Sequence, residues 1–302
     1  MTTTIKSMRR RRTIRRNVKA WLLLTPALFS MILFTHYPFI QTFILSLYRK
    51  TMAIRTPAYV GFGNYVKAFN DPLFAKVVGN TLRFSAFVIP VSVIVALLFA
   101  YLLNKRIRGV GVFRTLLFYP NVAPAVGFFL VWRYLLQDNI GYINHILKLL
   151  NLPTANWLVD VNTAMGAIVV IYLWREASYL MIFLLSGLQS ISDEYYEAAT
   201  IDGANEWHKF TRVTFPLLMP TIMFTLTISI SSAVKVLDVI ALMTGGGPTY
   251  STSMVMFYIY TYAFSYWDQG MASTYSVLFM IATLLFVWVQ NRLLNRVTYY
   301  EN

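Results

Sequence analysis

Long apolar stretches alternate with short polar islands along nearly the whole of this 302-residue chain. A helix needs about 20 apolar residues to cross a hydrocarbon core. Six stretches reach that length, at residues 20–47, 78–103, 113–136, 164–189, 217–242 and 272–291. The pattern predicts an all-α integral membrane protein with six transmembrane helices. The second, third and fifth spans carry or adjoin prolines: Pro90, Pro120 with Pro124, and Pro220. Proline is tolerated in a span where neighbouring helices or a cavity satisfy the carbonyls it frees. Kinks around a transport path and plain packing kinks both fit. Segments 48–77, 137–163 and 243–271 are aromatic and punctuated by Pro and Gly. They are too long for tight turns, so short interfacial helices or a docking surface are expected there.

Composition sharpens this reading. The chain is 57% hydrophobic and 13% charged, where a soluble domain carries about 25% charged residues, and its mean hydropathy is +0.56. The 26 basic against 12 acidic residues would suggest nucleic acid in a soluble protein. Here eight of the basic residues lie between Lys6 and Lys19, directly before an apolar run. That arrangement reads as a topology signal against anionic membrane lipid, and no nucleic-acid partner is expected. A basic stretch before an apolar run also opens a signal peptide. The run from Ala20 to Leu47 is too long for one and no small-x-small site closes it, so it is expected to stay as an anchor. The lack of cysteine excludes disulfides and thiolate metal sites.

Lys and Arg also set the orientation. With both termini inside, the cytoplasmic segments hold the eight N-terminal cations, Lys105, Arg106, Arg108 and Arg114, Lys209 and Arg212, and Arg292 and Arg296. The opposite side holds Arg49, Lys50, Arg55, Lys67, Lys76 and Lys148. Sixteen against six places both termini in the cytoplasm. The expected layout is a basic tail at 1–19, then a first helix with its outer segment at 20–76. A five-helix core at 77–296 follows, containing a cytoplasmic loop at 191–216, and a tail at 297–302 closes the chain.

That loop is the one long polar island in the second half. Asp193 and Glu194 favour a helix start, and Glu197-Ala198-Ala199 are good helix formers with small side chains. Asp202-Gly203 signals a turn or helix cap. Trp207, Phe210 and Val213 then present an apolar face at helical spacing beside Lys209 and Arg212, and Pro216 and Pro220 stiffen the entry into the fifth span. A short helix, a break at Gly203 and a second short amphipathic segment are predicted. A rigid knob of this kind suits docking into a groove on a partner; an interfacial amphipathic helix is the plainer reading.

The island resembles the coupling loop of bacterial ABC-importer permeases. Their pattern is EAA, three residues, Gly, nine residues, then Ile-x-Leu-Pro. It is matched by Glu197-Ala198-Ala199, Gly203 and Val213-Thr214-Phe215-Pro216, with Val and Phe where Ile and Leu are usual. Asp202-Gly203-Ala204 and Pro220 resemble the carbohydrate branch. Gly61-Phe62-Gly63-Asn64-Tyr65, Asn80-Thr81, and Asp238 with Met243-Thr244-Gly245-Gly246-Gly247-Pro248 are similar to further segments of that branch. The similarity runs over roughly residues 20–296, and points to the permease that usually precedes a second, paralogous one.

This resemblance implies a type I importer in a bacterial inner membrane. Two permeases form the pore, two cytoplasmic ATPase subunits hold ATP and Mg, and an extracytoplasmic solute-binding protein delivers a sugar or sugar-like polyol: an oligosaccharide, a glycoside or a glycerol phosphate. The chain itself would carry no catalytic centre, metal or cofactor. Glu197, Ala198, Ala199, Asp202, Gly203, Ala204, Trp207, Phe210 and Pro216 would form the ATPase contact. No Walker Gly-rich Lys-Ser/Thr loop is present.

Polar residues within the spans suggest the substrate path, because ionisable groups are costly there. On a continuous fifth helix, Thr227, Ser231, Lys235 and Asp238 share one face, and Thr221, Thr225, Ser229 and Ser232 another. In the fourth span Tyr172, Arg175, Tyr179 and Ser186 share a face, with Glu176 beside them. Aromatic and hydrogen-bonding groups suit a polyol. Lys235–Asp238 and Arg175–Glu176 could equally be structural pairs, and Arg83 and Arg133 could snorkel. A secondary transporter or channel working without ATPases is the alternative function. It would need inverted repeats or a carboxylate relay, for which Asp238 and Glu176 alone are poor. A membrane enzyme is disfavoured, since His36, His145 and His208 form no ligand pairing.

Overall fold

A computed structural model of the protein describes residues 17, 19–53, 56–105 and 109–294. The expected tails at 1–19 and 297–302, and the cations Arg55, Arg106, Arg108 and Arg296, lie outside the described residues apart from Asn17 and Lys19. The chain divides into two compact units, residues 1–68 with 262–278 and residues 69–261 with 279–302.

In the first unit, helix α1 (Lys19–Ser46) is the first span. Its apolar side chains are exposed within the structure, Leu23 to 83% and Phe34 to 73%, as a lipid-facing helix requires. A π turn at Ile32–His36 ends two residues before Pro38. Proline cannot donate to the carbonyl four residues back and its ring crowds that oxygen; the wider turn makes room. Strands β1 (Tyr48–Arg49) and β2 (Ala58–Tyr59) pair antiparallel, followed by helix α2 (Gly63–Phe69). Buried Asn64 donates Nδ2 to the carbonyls of Ser46 at 2.9 Å and Tyr48 at 3.0 Å. These carbonyls are left over where α1 ends, and Thr274 also donates to Ser46 at 3.2 Å.

The second unit holds the second to fifth spans. Helix α3 (Pro72–Asn104) starts on an Asp71 N-cap that accepts from the Leu73 N–H at 2.9 Å and runs unbroken through Pro90. Helices α4 (Val110–Val122) and α5 (Ala125–Leu135) follow. The third span, expected as one helix over 113–136, is therefore broken: its halves meet at 99°. Ala123 is forced out of helical geometry by the ring of Pro124, and both adopt extended ψ, at 140° and 132°. Short helix α6 (Tyr142–Leu149) precedes α7 (Ala164–Gln189), the fourth span.

Helix α8 (Asp193–Ile201) precedes α9 (Glu206–Val234). The second short segment expected after Gly203 is thus the first turns of the fifth span, joined to it by a π turn at Phe210–Thr214. That turn again ends two residues before a proline, Pro216. The fifth span also stops early: Lys235 caps α9, and a separate helix, α10 (Asp238–Met243), continues the chain. Helix α11 (Val255–Tyr260) leads towards α12 (Gln269–Leu294), the last span, which begins in the first unit and ends in the second.

Among the described residues five helices meet the length and apolarity of a span, and the bent α4–α5 pair, taken as one span, makes six. In the second unit, α3 and α7 pack through small residues. Ala96 and Ala100 on one and Ala177 on the other are fully buried, as close approach between membrane helices requires. Helices α7 and α9 cross where Gly187 has no room for a side chain; a Cβ there would lie 2.7 Å from Thr221 Oγ1.

Candidate functional site

The two broken spans open onto one cavity of about 330 Å³ beside the middle of α7. Tyr172, Arg175, Glu176 and Tyr179 of α7 form one wall. Asn121 of α4 and Phe129 of α5 flank the bend, and Ser232, Lys235 and Asp238 come from the end of α9 and the start of α10. The volume is at the low end of the ~300–1,000 Å³ found for small-molecule sites.

Each charge here has a separate support. The Arg175 guanidinium lies over the Phe129 ring at 5.3 Å, and Asn121 Nδ2 donates to the Arg175 carbonyl at 3.0 Å. Glu176 is buried, with the hydroxyls of Tyr172 and Ser232 and the Arg175 guanidinium around it; its Oε1 has no hydrogen-bond partner. Lys235 sits at the C-terminal end of α9 and Asp238 in the first turn of α10. Each charge opposes the partial charge of its own helix end. No ion pair joins Lys235 to Asp238 among the described residues.

Of the path residues expected from sequence, Tyr172, Arg175, Tyr179, Lys235 and Asp238 line this cavity, and Ser231 does not. The face shared by Thr227, Ser231, Lys235 and Asp238 presupposes a continuous helix, and α9 ends at Val234. Ser231 is exposed on another side, while Thr227 accepts from Gln290 Nε2 at 2.8 Å. The second stripe packs inward: Ser229 hydrogen-bonds Ser92 of α3 at 2.9 Å, and its last member, Ser232, reaches the cavity. Asn121, Phe129 and Glu176 line it too, beside the apolar Val236, Leu237 and Val239. Glu176 was visible as an intramembrane charge; nothing in the sequence pattern singles out Asn121 or Phe129.

At the other end of α9 the polar island forms a capped knob. Ser192 caps α8, accepting from the Glu194 N–H at 3.4 Å. At its C-terminus, Gly203 (φ +78°) donates to Thr200 O at 3.0 Å and Ala204 to Ala199 O at 2.9 Å. Both bonds of a glycine-terminated helix stop are therefore present. Asn205 then caps α9 by accepting from the His208 N–H at 2.9 Å. Glu197, Ala198, Asp202 and Pro216 are exposed, and Ala199, Ala204 and Phe210 are half-buried. Ile201 is 87% and Trp207 69% exposed. Trp207 stacks on Phe210 at 6.1 Å, and Phe210 meets Tyr101 of α3 edge-on at 5.5 Å. The Tyr196 hydroxyl bonds Thr214 at 3.1 Å, tying α8 to the π turn.

Asn80-Thr81 bonds the segment that directly follows the Thr244–Pro248 run. Asn80 Nδ2 donates to the Tyr250 and Ser253 carbonyls at 2.9 and 3.0 Å, and Thr81 Oγ1 accepts from the Val255 N–H at 3.0 Å. Lys76 Nζ donates to Thr249 O at 2.7 Å. One face of α3 thereby holds a segment in which Gly245, Gly246, Thr249 and Tyr250 all have positive φ.

Residues 81–299 match the family described as "binding-protein-dependent transport system inner membrane component". The chain is 32% identical to the trehalose/maltose transport system permease protein MalF of Thermococcus litoralis, over 89% of this chain and 91% of that one. It is also 32% identical to the lactose transport system permease protein LacF of Rhizobium radiobacter, over 90% and 93%. A bacterial ABC transporter involved in import of the acidic polysaccharide alginate has a chain of the same fold. Its TM-score is 0.84 at 24% identity, covering 96% of this chain and all of that one.

Proposed function

This chain belongs to the family of binding-protein-dependent transport system inner membrane components, and from that membership and the cavity beside α7 we propose that it forms half of a sugar-conducting pore. A second homologous permease supplies the other half. The termini and the 197–216 knob face the cytoplasm, in keeping with the Lys and Arg distribution. Two ATPase subunits, which carry the ATP and Mg, receive the knob, and an extracytoplasmic binding protein delivers the substrate.

The observation that carries this reading is the make-up of the cavity. Tyr172, Tyr179 and Phe129 offer aromatic surface beside donors on Arg175 and Lys235 and acceptors on Glu176 and Asp238. A sugar presents apolar ring faces ringed by hydroxyls, each needing a donor or an acceptor. The relatives named for trehalose/maltose and lactose support a substrate in the class of sugars and related polyols.

Helix α9 supplies the mechanical link. Trp207 and Phe210 lie in its first turns and Ser232 in its last, and the helix is unbroken between them. Movement of the knob as the ATPases close is carried along this rod to the cavity wall. The pore has two states, and nucleotide and loaded binding protein each shift the balance between them.

The test uses the assembled transporter in proteoliposomes with its cognate binding protein, screened first by thermal shift against maltose, trehalose, lactose and glycerol 3-phosphate. The ligand that stabilises the binding protein is expected to stimulate ATP hydrolysis and to be taken up. Tyr179→Ala and Arg175→Ala should impair uptake while ATPase subunits still co-purify. Unchanged uptake in both variants excludes the cavity from the path. Full ATPase association in a Glu197→Arg, Gly203→Trp double variant sinks the coupling assignment.

A further inference from the structure

A second groove, of about 670 Å³, lies between α3 and α7 on the side of the membrane away from the knob. Its chemistry is unlike that of the sugar cavity. Phe84 and Phe87 of α3 and Val169, Val170 and Leu173 of α7 make it apolar for most of its length. At one end it is rimmed by Lys76, Asn80 and Arg83, at positions i, i+4 and i+7 on one face of α3. No carboxylate is among its lining residues.

The depth of these groups can be worked from helix length. Helix α3 has 33 residues and is about 50 Å long at ~1.5 Å per residue. The hydrocarbon core is ~30 Å thick, or about 20 helical residues. Residues 84–103 contain no charged side chain, and Lys105 follows. If these residues fill the core, Arg83 lies at its outer boundary, with Asn80 and Lys76 one and two turns above. The apolar lining falls just inside the core and the cations fall at headgroup level.

Two of the rim groups are committed elsewhere. Lys76 spends one of its three donors on Thr249 O, and Asn80 spends its amide on Tyr250 O and Ser253 O. Arg83 is exposed and makes no hydrogen bond or ion pair among the described residues. A guanidinium at the hydrocarbon boundary beside an apolar groove matches an anionic phosphate with an acyl chain below it. Gly166 of α7 leaves the groove open: a Cβ built there meets nothing within 4 Å.

We infer that this groove is a binding site for an anionic phospholipid of the outer leaflet, its phosphate held by Arg83 and Lys76 and one acyl chain lying between α3 and α7. The inference rests on the orientation given above and is independent of which solute the pore carries. The lipid would fill the seam on which α3 holds the 249–255 segment.

The assembled transporter is purified in detergent, equilibrated with equal amounts of phosphatidylglycerol and phosphatidylethanolamine of matched acyl chains, and examined by native mass spectrometry. The wild type should retain phosphatidylglycerol over phosphatidylethanolamine by about fivefold, the factor for one basic residue at a membrane surface. Arg83→Gln should lower that preference, leaving only the share due to Lys76. Gly166→Trp, which fills the groove and leaves the cations in place, should lower retention of the anionic lipid while the second permease and the ATPases still co-purify. Equal retention of the two lipids by the wild type overturns the inference, as does unchanged retention in either variant. Release of the second permease by Gly166→Trp with lipid retention intact would show a protein helix in the groove, and overturns it too. ATP hydrolysis and uptake are not read, so a failed transport assignment leaves this result standing.

Discussion

The glycine in the knob allows a graded test in which space and backbone are separable. Gly203 has φ +78°, and a Cβ placed on it meets nothing within 4 Å. A side chain there is penalised by its own backbone and by no neighbour. The left-handed conformation costs an ordinary residue about 1–2 kcal/mol, Asn less than most. The Schellman bonds from Gly203 and Ala204 to Thr200 and Ala199, at 3.0 and 2.9 Å, hold only while that conformation persists. A cost of 1–2 kcal/mol lowers the ratio of the capped to the uncapped form by roughly 5–30-fold. Stimulation of ATP hydrolysis by loaded binding protein should therefore fall in the order Gly203, Gly203→Asn, Gly203→Ala, Gly203→Val, with basal hydrolysis by the ATPase subunits unaltered. The assay is the ratio of stimulated to basal hydrolysis in proteoliposomes at equal complex concentration. If Gly203→Val couples as well as the wild type, the fixed angle between α8 and α9 plays no part in transmission. If Asn and Val fail alike, a side chain of any kind obstructs the partner surface and the backbone argument is wrong.

Replacing Asn64 by Leu removes its amide from the Ser46 and Tyr48 carbonyls, of which Ser46 keeps the Thr274 hydroxyl. This should cost about 1–3 kcal/mol, read as a lowered thermal midpoint of the purified complex. Gly187→Leu drives a side chain into Thr221 and Leu218 and should destabilise by about 1–3 kcal/mol. Gly127→Leu, where a Cβ meets nothing, should be neutral in the same unfolding assay. Phe129→Ala takes away the ring under Arg175, a contact of about 0.5–2 kcal/mol; it should raise the KM for sugar uptake while the ATPases stay bound.

The number of spans was legible because each apolar stretch reaches the thickness of the apolar core, but the break in the third and the bounds of the fifth were not legible from length alone. The knob was legible for a different reason: its helix stop is local. Gly203 lies within a few residues of the groups it satisfies and bonds as a helix stop, as its place after Asp202 signalled, whereas the caps Ser192 and Asn205 emerge only in the structure. The π turns at Ile32–His36 and Phe210–Thr214 were not read from the sequence, although each ends two residues before a proline; a third, at Thr261–Ser265, has no proline after it. The roles of Asn64 and Asn80 were illegible in a stronger sense. Asn80 serves carbonyls about 170 residues away, and no periodicity links the two. The lining of the cavity fell between these cases: α7 kept its helical spacing, so Tyr172, Arg175 and Tyr179 met as expected, whereas α9 did not, and Ser231 was lost to Ser232.

The two breaks differ in origin but arrive at one place. In the third span Pro124 forces Ala123 out of the helix, and a proline between apolar runs announces it. In the fifth, Val234-Lys235-Val236-Leu237-Asp238 contains neither Gly nor Pro, so no helix-breaking residue ends the helix. Unwound backbone is tolerated at membrane depth only where protein or a water-filled cavity satisfies it. Both breaks meet that condition at the same cavity, which Asn121, Phe129, Lys235 and Asp238 all line. Placing a cation on the end of α9 and an anion on the start of α10 stabilises both termini and so stabilises the break itself. The charges that the sequence displayed as a stripe on one continuous helix thus explain why that helix ends. Lys235→Leu with Asp238→Leu should therefore do more than remove two polar groups. It should extend α9 and narrow the cavity, and uptake should fall further than the sum of the single variants' losses. Additive losses would mean that the two residues act independently and that the break is held by packing alone.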